Sequence, residues 1–377
     1  MTDRLPREIA EATRLTGLGK LMEATALIQR ALWGGSSTDS ADAEDTAAES
    51  EPPDEAAGPR SKTPHTVRPH ASLKETVERV EAMTKSFEEG LHPAPKAPEG
   101  ASFTTATYTN AAGSRKYKLY VPANNKRCAL VVMLHGCAQT PDDFAAGTRM
   151  NTLAEEHGFL VAYPEQTLRA NIRQCWNWFR PQDQRRGEGE PLLLAGITEE
   201  IIRRHGVDPK RVYVAGLSAG GAAAAIMGDV YPELYAGVGV HSGLPSASAK
   251  DLASAFDAMR LGAKVQKPSA QLVPTIIFHG EKDMIVNHSN GEAVAVKAVG
   301  SASGLRRDME QGRTTGGRNY VRTFYADETG RTLCEYWRIR ESGHAWSGGS
   351  ASASHTDPLG PDASREMVRF FLQHKAR

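Results

Sequence analysis

The sequence has few cysteines, no net charge and no long apolar run, and each of these shortages excludes a class of protein. Lysine plus arginine and aspartate plus glutamate number 45 each, so the chain lacks the positive excess typical of nucleic-acid-binding proteins. No run of about 18 apolar residues is present, which argues against a transmembrane helix. The first residues, MTDRLPREIAEATRL, contain acids and no apolar core, so we expect no signal peptide and a cytoplasmic location.

The four cysteines form no C-x-x-C pair, which argues against a zinc site, and we expect no metal. They are Cys128, Cys137, Cys175 and Cys334. In a reducing cytosol such residues are mostly buried thiols. Because Cys137 and Cys175 both lie near the active site proposed below, a disulfide between them stays open.

The first hundred residues predict helices and linkers rather than a compact domain. Apolar residues recur at helical spacing over 1–33, on both sides of Gly17 and Gly19, which predicts a helical hairpin. Residues 34–69 are acidic and poor in large apolar side chains, and predict a disordered linker. Residues 70–98 predict an amphipathic helix and a Pro-rich linker. These helices could pack on the remaining chain, form a homodimer or anchor the protein at an apolar surface such as a granule.

Residues 99–377 alternate predicted strands and helices, which is typical of an α/β fold. The segment FTTATYTNAAGSRKYKLYVP predicts a hairpin that turns at 110–113, and ALVVMLHG predicts a strand buried on both faces. Further apolar strands alternate with helices predicted over 142–157, 191–205, 219–231 and 289–299. This alternation predicts a mostly parallel central sheet covered by helices on both faces. Residues 301–319, rich in glycine and arginine, predict a mobile loop.

The segment VYVAGLSAGG carries the candidate nucleophile, Ser218. An apolar strand leads into G-x-S-x-G and an Ala-rich helix follows, which is the order that a nucleophile elbow requires. The serine of such a turn is presented to substrate, and the helix N-terminus behind it favours developing negative charge. The alternative is a Gly-rich strand–helix turn with an idle serine.

Asp283 and His344 are the candidate acid and base. Asp283 follows the apolar strand TIIFHG, and His344 lies in a Gly-flanked loop after the strand LCEYWRIR. Both therefore follow the nucleophile in the order serine, acid, histidine that an elbow of this kind predicts. Asp283 would orient the imidazole of His344, which would take the Ser218 proton. Three further histidines end predicted strands and could line the site without catalysis: His135, His241 and His279.

Two backbone N–H groups are expected to form an oxyanion hole. They are those of Ala219, which follows the nucleophile, and of Cys137, in the loop after the strand ALVVML. Trp346, two residues after His344, and Trp178, in the segment CWNWF, are candidates for an apolar substrate pocket. For the CWNWF aromatics, a packed cluster under a long loop is an equal alternative.

Six ordered motifs resemble the poly(3-hydroxybutyrate) depolymerase esterases, in particular their type-I catalytic domain, which is related to feruloyl and acetylxylan esterases. The motifs are LHGCAQT, CWNWF, GLSAGG, HGEKDMIV, GHAWSGG and SHTDPLGPDASREMVRFF, and the resemblance runs from about residue 103 to 374. It implies an α/β-hydrolase fold, no cofactor, and a triad of Ser218, Asp283 and His344.

The resemblance implies a serine esterase that acts on poly(3-hydroxybutyrate), on its short oligomers or on a small ester. We see no signal peptide and no polymer-binding domain after His374, and this favours intracellular amorphous polymer or oligomers over crystalline extracellular polymer. Two alternatives stay open. The chain could hydrolyse feruloyl or acetyl esters, or it could be a non-catalytic helical adaptor that keeps the hydrolase domain as a scaffold.

Overall fold

The computed structural model describes residues 97–124, 128–264, 268–269, 271–300 and 302–376. The predicted hairpin at 1–33, the linker at 34–69 and nearly all of the segment 70–98 lie outside these residues. Within the part of the chain that the structure describes, no helix is both long and apolar enough to cross a membrane.

Ten strands form one large sheet. They are β1 (Ser102–Asn110), β2 (Gly113–Val121), β3 (Ala129–Leu134), β4 (Phe159–Pro164), β5 (Val212–Leu217), β6 (Gly237–His241), β7 (Thr275–Gly280), β8 (Arg306–Arg313), β9 (Asn319–Ala326) and β10 (Thr332–Ile339). Their spatial order is β1-β2-β4-β3-β5-β6-β7-β10-β9-β8. The six central strands are parallel, and an antiparallel pair extends the sheet at each edge. This topology confirms the predicted α/β-hydrolase fold.

Helices cover both faces of the sheet in the described chain. They are α1 (Pro141–Thr148), α2 (Met150–His157), α3 (Gly189–His205), α4 (Ala219–Val230), α5 (Leu252–Leu261), α6 (Ser289–Val299) and α7 (Ala363–Leu372). A short parallel pair, β11 (Trp346–Ser347) and β12 (Thr356–Asp357), lies apart from the main sheet. The helix predicted over 142–157 is two helices, because Arg149 adopts a left-handed φ of 54° between α1 and α2.

Strand β3 shows why the central strands are apolar at every position. Leu130, Val132 and Leu134 pack into the core with α3 and α4, whereas Val131 and Met133 pack into a second core with α1, α2 and α7. All six residues of β3 are buried. A parallel strand with helices on both faces has no solvent-exposed side, so its sequence reads as a continuous apolar run.

The predicted mobile loop at 301–319 is wrong, because Arg306–Arg313 forms the edge strand β8. It pairs antiparallel with β9 through eight residue pairs. Nearly all of its side chains are exposed, so the sequence shows no alternation of apolar and polar residues. Charged side chains along an exposed edge discourage pairing with other chains.

Candidate active site

Ser218 lies on a sharp turn between β5 and α4. Its backbone has a φ of 57° and a ψ of −119°, an unusual conformation for a residue with a Cβ. The Ser218 N–H donates to the carbonyl of His241, at the end of β6, at 2.8 Å. A Cβ on Gly216 would overlap the Gly220 carbonyl, and one on Gly220 would overlap the Leu134 carbonyl. Both glycines are therefore required for the close approach of strand and helix at this turn.

Asp283 and His344 are joined by a hydrogen bond of 2.7 Å between Nδ1 and Oδ2. They meet because β7 and β10 are parallel neighbours, so the loops after them leave the sheet at the same end, the carboxyl ends of the strands. The other carboxylate oxygen accepts from the N–H groups of Ile285 at 2.9 Å and Val286 at 2.8 Å. Burial raises the pKa of Asp283, but hydrogen bonds from His279 and His344 outweigh it and hold that pKa well below its usual range. The carboxylate is therefore ionised at neutral pH.

His241 links the turn that carries Ser218 to the loop that carries His344. Its carbonyl accepts from Ser218, and its Nε2 accepts from the Ser347 N–H at 2.9 Å. Burial lowers the pKa of His241 well below its usual value, so the ring stays neutral and Nε2 is free to accept. Within the described residues, Ser218 Oγ forms no hydrogen bond to His344. Catalytic hydrogen bonds of this kind are often long before substrate binds.

The two N–H groups predicted for the oxyanion hole are free to bind an anion. In the loop after β3, the N–H groups of Gly136 and Ala138 are bonded, but that of Cys137 has no partner in the described chain. Ala219 is the first residue of α4, so no carbonyl of an earlier helical turn is available to its N–H. Their role in an oxyanion hole stays a prediction.

Cys137 and Cys175 form a disulfide, which settles the alternative that the sequence leaves open. The bridge ties the loop after β3 to the segment CWNWF. Cys128 and Cys334 are free thiols, and Cys334 is buried. No group of three or more potential metal ligands is present in the residues that the structure describes.

Glu190 holds the segment CWNWF in place, and sequence reasoning missed this residue. Its buried carboxylate accepts from Asn177 N–H and from Asn177 Nδ2, both at 2.8 Å, and from Gln166 Nε2. The Gln166 N–H donates in turn to His135 Nε2 at 3.0 Å. Burial raises the pKa of Glu190. An acid in the first turn of a helix is ordinary, so the sequence carried no signal that this one is buried.

Trp346 and Trp178 are buried side chains. Trp346 is 1% exposed, stacks on His241 at 5.0 Å between ring centroids, and donates its indole N–H to Ser364 Oγ at 3.0 Å. The predicted pocket role of Trp346 is therefore wrong, because its side chain packs in the core with α1 and α7. Trp178 is 6% exposed and packs edge to face with Phe179, so the packed-cluster alternative describes it.

Comparison with known proteins agrees with the motifs. Residues 115–316 match the Esterase PHB depolymerase family. The chain is 33% identical over 237 residues to poly(3-hydroxyalkanoate) depolymerase C of Paucimonas lemoignei, which covers 59% of this chain and 56% of that protein. It is 33% identical over 128 residues to feruloyl esterase B of Neurospora crassa, covering 34% of this chain and 43% of that protein. The chain thus spans about half the length of the curated relatives it matches.

A solved structure, an acetyl xylan esterase from Aspergillus awamori, has the same fold. It superposes with a TM-score of 0.56 at 21% identity, covering 72% of this chain and 99% of that one. At this identity the likeness shows the fold alone. The family match extends over more than half of the sequence and includes both Ser218 and Asp283, and on this ground the chain belongs to the Esterase PHB depolymerase family.

Proposed function

We propose that the chain is a serine carboxylic ester hydrolase whose acyl-enzyme forms on Ser218. The observation that carries this proposal is the Asp283–His344 hydrogen bond. It lies at the carboxyl ends of the parallel strands, where Ser218 also lies on its strained turn. His344 takes the Ser218 proton as Oγ attacks the ester carbonyl. The N–H groups of Cys137 and Ala219 stabilise the resulting oxyanion. His344 then protonates the leaving alcohol, and water releases the acid in the same way.

Esters of 3-hydroxybutyrate, as polymer or as short oligomers, are the substrates that we propose. Support comes from the depolymerase similarity and from an exposed apolar rim formed by Leu261, Met284 and Ile285. Met284 directly follows Asp283 and is 82% exposed, and Leu261 is 75% exposed. The Asn287 N–H donates to the last turn of α5 at 2.7 Å, so the two segments of the rim adjoin. Exposed apolar side chains of this kind suit an apolar polyester.

Feruloyl or acetyl esters are the second class of substrate, favoured by the similarity to feruloyl esterase B. Hydrolysis of 3-hydroxybutyrate oligomers, methyl ferulate and p-nitrophenyl acetate, measured side by side, separates the classes. We expect the highest kcat/KM with the oligomers, and a preference for methyl ferulate would replace the leading proposal. Labelling by a fluorophosphonate probe distinguishes both from a catalytically inactive scaffold.

Ser218→Ala tests the mechanism in the same panel. Loss of the nucleophile should lower kcat by roughly four to six orders of magnitude, because covalent catalysis is removed. Only one oxygen is deleted, so thermal unfolding should change little. His344→Ala should lose a comparable factor, and the double variant little more. A Ser218→Ala enzyme that retains more than about a tenth of the activity would refute the triad.

A further inference from the structure

His279 is a second histidine in contact with the acid. It lies on β7, four residues before Asp283, and its side chain is fully buried. Its Nε2 lies 3.3 Å from Asp283 Oδ2 and 3.0 Å from the carbonyl oxygen of Val286. Oδ2 is also the oxygen that accepts from His344 at 2.7 Å. Two imidazoles therefore share one carboxylate oxygen.

The surroundings of His279 determine where its proton lies. Both atoms that face Nε2 are acceptors, because a carbonyl carries no proton and the Asp283 carboxylate is ionised. Nε2 must therefore carry a hydrogen. Nδ1 is buried and has no hydrogen-bond partner in the described part of the chain. A proton there would be an unpaired buried donor, so the geometry favours the tautomer with its hydrogen on Nε2, which donates to the Val286 carbonyl and lies 3.3 Å from Asp283 Oδ2.

Other charged or titratable groups lie on the strands that neighbour His279. His241 lies on β6, and Arg338 occupies the position opposite His279 on β10, where its guanidinium pairs with Glu281 at 3.1 Å. Tyr336, also on β10, bonds through its hydroxyl to the carbonyl of residue 288.

Helix α6 approaches with Gly291, where a Cβ would lie 3.1 Å from the His279 Cβ. Of the charged side chains in the described residues, Asp283 alone lies within hydrogen-bond reach of this imidazole. His279 therefore reaches the proposed triad through Asp283 Oδ2 and through Val286, whose N–H binds Asp283 Oδ1.

We propose that His279 is a positioning residue for the triad, an inference that rests on the function proposed above. Two backbone N–H groups hold Oδ1 of Asp283, and the His279 Nε2–H, which is bonded to the Val286 carbonyl, adds an electrostatic contact at Oδ2 that restrains the rotation of the carboxylate. Because it shares Oδ2 with His344, it also weakens the attraction of that oxygen for the His344 proton. His344 is thus oriented by Asp283 as the acceptor of the Ser218 proton.

Three substitutions of His279 distinguish the effect of its N–H donor from the effect of its packing. His279→Leu removes the donor, His279→Asn carries a donor that is too short to reach, and His279→Gln places an amide N–H near the position of Nε2. We expect the Leu and Asn variants to lose roughly tenfold in kcat/KM, in line with losses of supporting hydrogen bonds at other sites. Their kcat/KM profiles should also inflect at a pH higher by roughly half a unit to one unit, because Oδ2 then interacts with His344 alone. His279→Gln should keep the wild-type inflection.

His374→Leu is a matched control. His374 is also buried, and its two ring nitrogens lie 2.8 Å from the carbonyl oxygens of Phe370 and Thr332. Its own carbonyl accepts from Tyr213 at the start of β5, the opposite end of that strand from Ser218. This variant should lower the thermal unfolding temperature and leave the pH inflection unchanged.

The proposal is overturned if the Leu, Asn and Gln variants lose activity equally and none shifts the inflection, since His279 would then only fill space. If His279→Leu does not fold, as judged by thermal unfolding, the His279→Gln and His279→Asn variants are compared instead. Equal loss of activity with no shift of the inflection in either then overturns the proposal. Ser218→Ala separates the two proposals. An active Ser218→Ala enzyme removes the triad itself, whereas an inactive one together with unshifted His279 variants removes only the role of His279.

Discussion

Individual buried histidines make the stability of this protein depend on pH. His135 is fully enclosed beside the oxyanion loop, where its Nε2 accepts from Gln166 and its Nδ1 lies 2.7 Å from the Gly136 carbonyl. Burial lowers the pKa of His135 to about 4. Burial also lowers the pKa of His241, and that of His355 to about 4. All three are therefore neutral in the folded protein at pH values where unfolded histidine is protonated.

We predict that the protein loses stability as the pH falls from about 6.5 toward 4. Over this window each of these three histidines binds more protons in the unfolded state than in the folded state, so its contribution to the free energy of unfolding rises with pH. The raised pKa of Glu190 acts in the opposite direction and reduces the net loss. A histidine whose pKa is lower in the folded state contributes its full stabilisation above its unfolded-state pKa. That stabilisation is lost as the pH falls through its folded-state pKa. For His135 alone, the difference between its unfolded-state pKa of 6.5 and its folded-state pKa of about 4 corresponds to about 3 kcal/mol in the free energy of unfolding.

Urea unfolding at pH 5 and pH 7.5 measures this loss. The depressed pKa of Asp283 acts below its ordinary value of about 3.9 and so lies outside the window. His135→Asn can still donate to the Gly136 carbonyl but has no ring to protonate, so it should show a smaller difference between the two pH values. Equal midpoints for the wild type at both pH values would contradict the prediction.

At the residue scale, the sequence predicted one contact of the candidate site and missed others. Ser218, Asp283 and His344 were assigned from a local motif and the order of strands, and the structure joins the last two directly. Glu190 could not be assigned, because its partners come from a loop before α3 that only the fold brings to it. Trp346 was assigned to a pocket from its nearness in sequence to the base, but that nearness does not determine which way a side chain points.

Among the connecting elements, the loop after β3, which we propose forms part of the oxyanion hole, is held by the disulfide and the Glu190 cluster together. Cys137 contributes the free N–H, and its bridge to Cys175 leads to a segment that Glu190 binds through Asn177. The bridge closes a sequence separation of 38 residues. In a chain-entropy estimate such a closure stabilises the folded state by roughly 4 kcal/mol.

We predict that replacing both bridged cysteines with serine lowers kcat roughly tenfold with a smaller change in KM, because a mobile donor stabilises the oxyanion less well. Steady-state kinetics on p-nitrophenyl butyrate measure the effect, and Cys128→Ser is the control because Cys128 is a free thiol. An unchanged kcat would show that the loop is held without the bridge. Disulfides are rare in the cytosol, so an oxidised bridge in cell extracts would count against the cytoplasmic location, which stays a prediction.

Strands were predictable from the sequence where every position of the strand is buried. Strands β3, β5 and β7 are buried at every position, and their apolar runs identified them. Strand β8 was missed because an exposed edge strand has no buried face to impose alternation. The division of α1 from α2 was missed because Arg149, whose backbone turns left-handed there, is an ordinary helix-forming residue in sequence.

At the scale of the whole molecule, polymeric and dissolved substrates differ in how much of the protein surface they contact. A dissolved ester needs only the catalytic centre, whereas a polymer particle must also contact the protein around that centre. The apolar rim of Leu261, Met284 and Ile285 adjoins the acid and is exposed. The helices predicted for residues 1–98 are the other candidate for polymer contact, and their role in granule binding stays a prediction.

We predict that Leu261→Ser combined with Met284→Ser lowers hydrolysis of amorphous poly(3-hydroxybutyrate) particles more than hydrolysis of dissolved 3-hydroxybutyrate oligomers. Each substitution removes roughly 1.5–3 kcal/mol of apolar burial available at a surface contact. Met309→Ser is the control, because Met309 is also well exposed, at 63%, but lies on the edge strand β8, two strands beyond β10. Co-sedimentation with the particles reports binding separately from turnover. If the rim variant and the control retain the same particle-to-oligomer activity ratio, the rim does not contact polymer, and the same assay on a chain beginning at Ala97 then tests whether the preceding residues do.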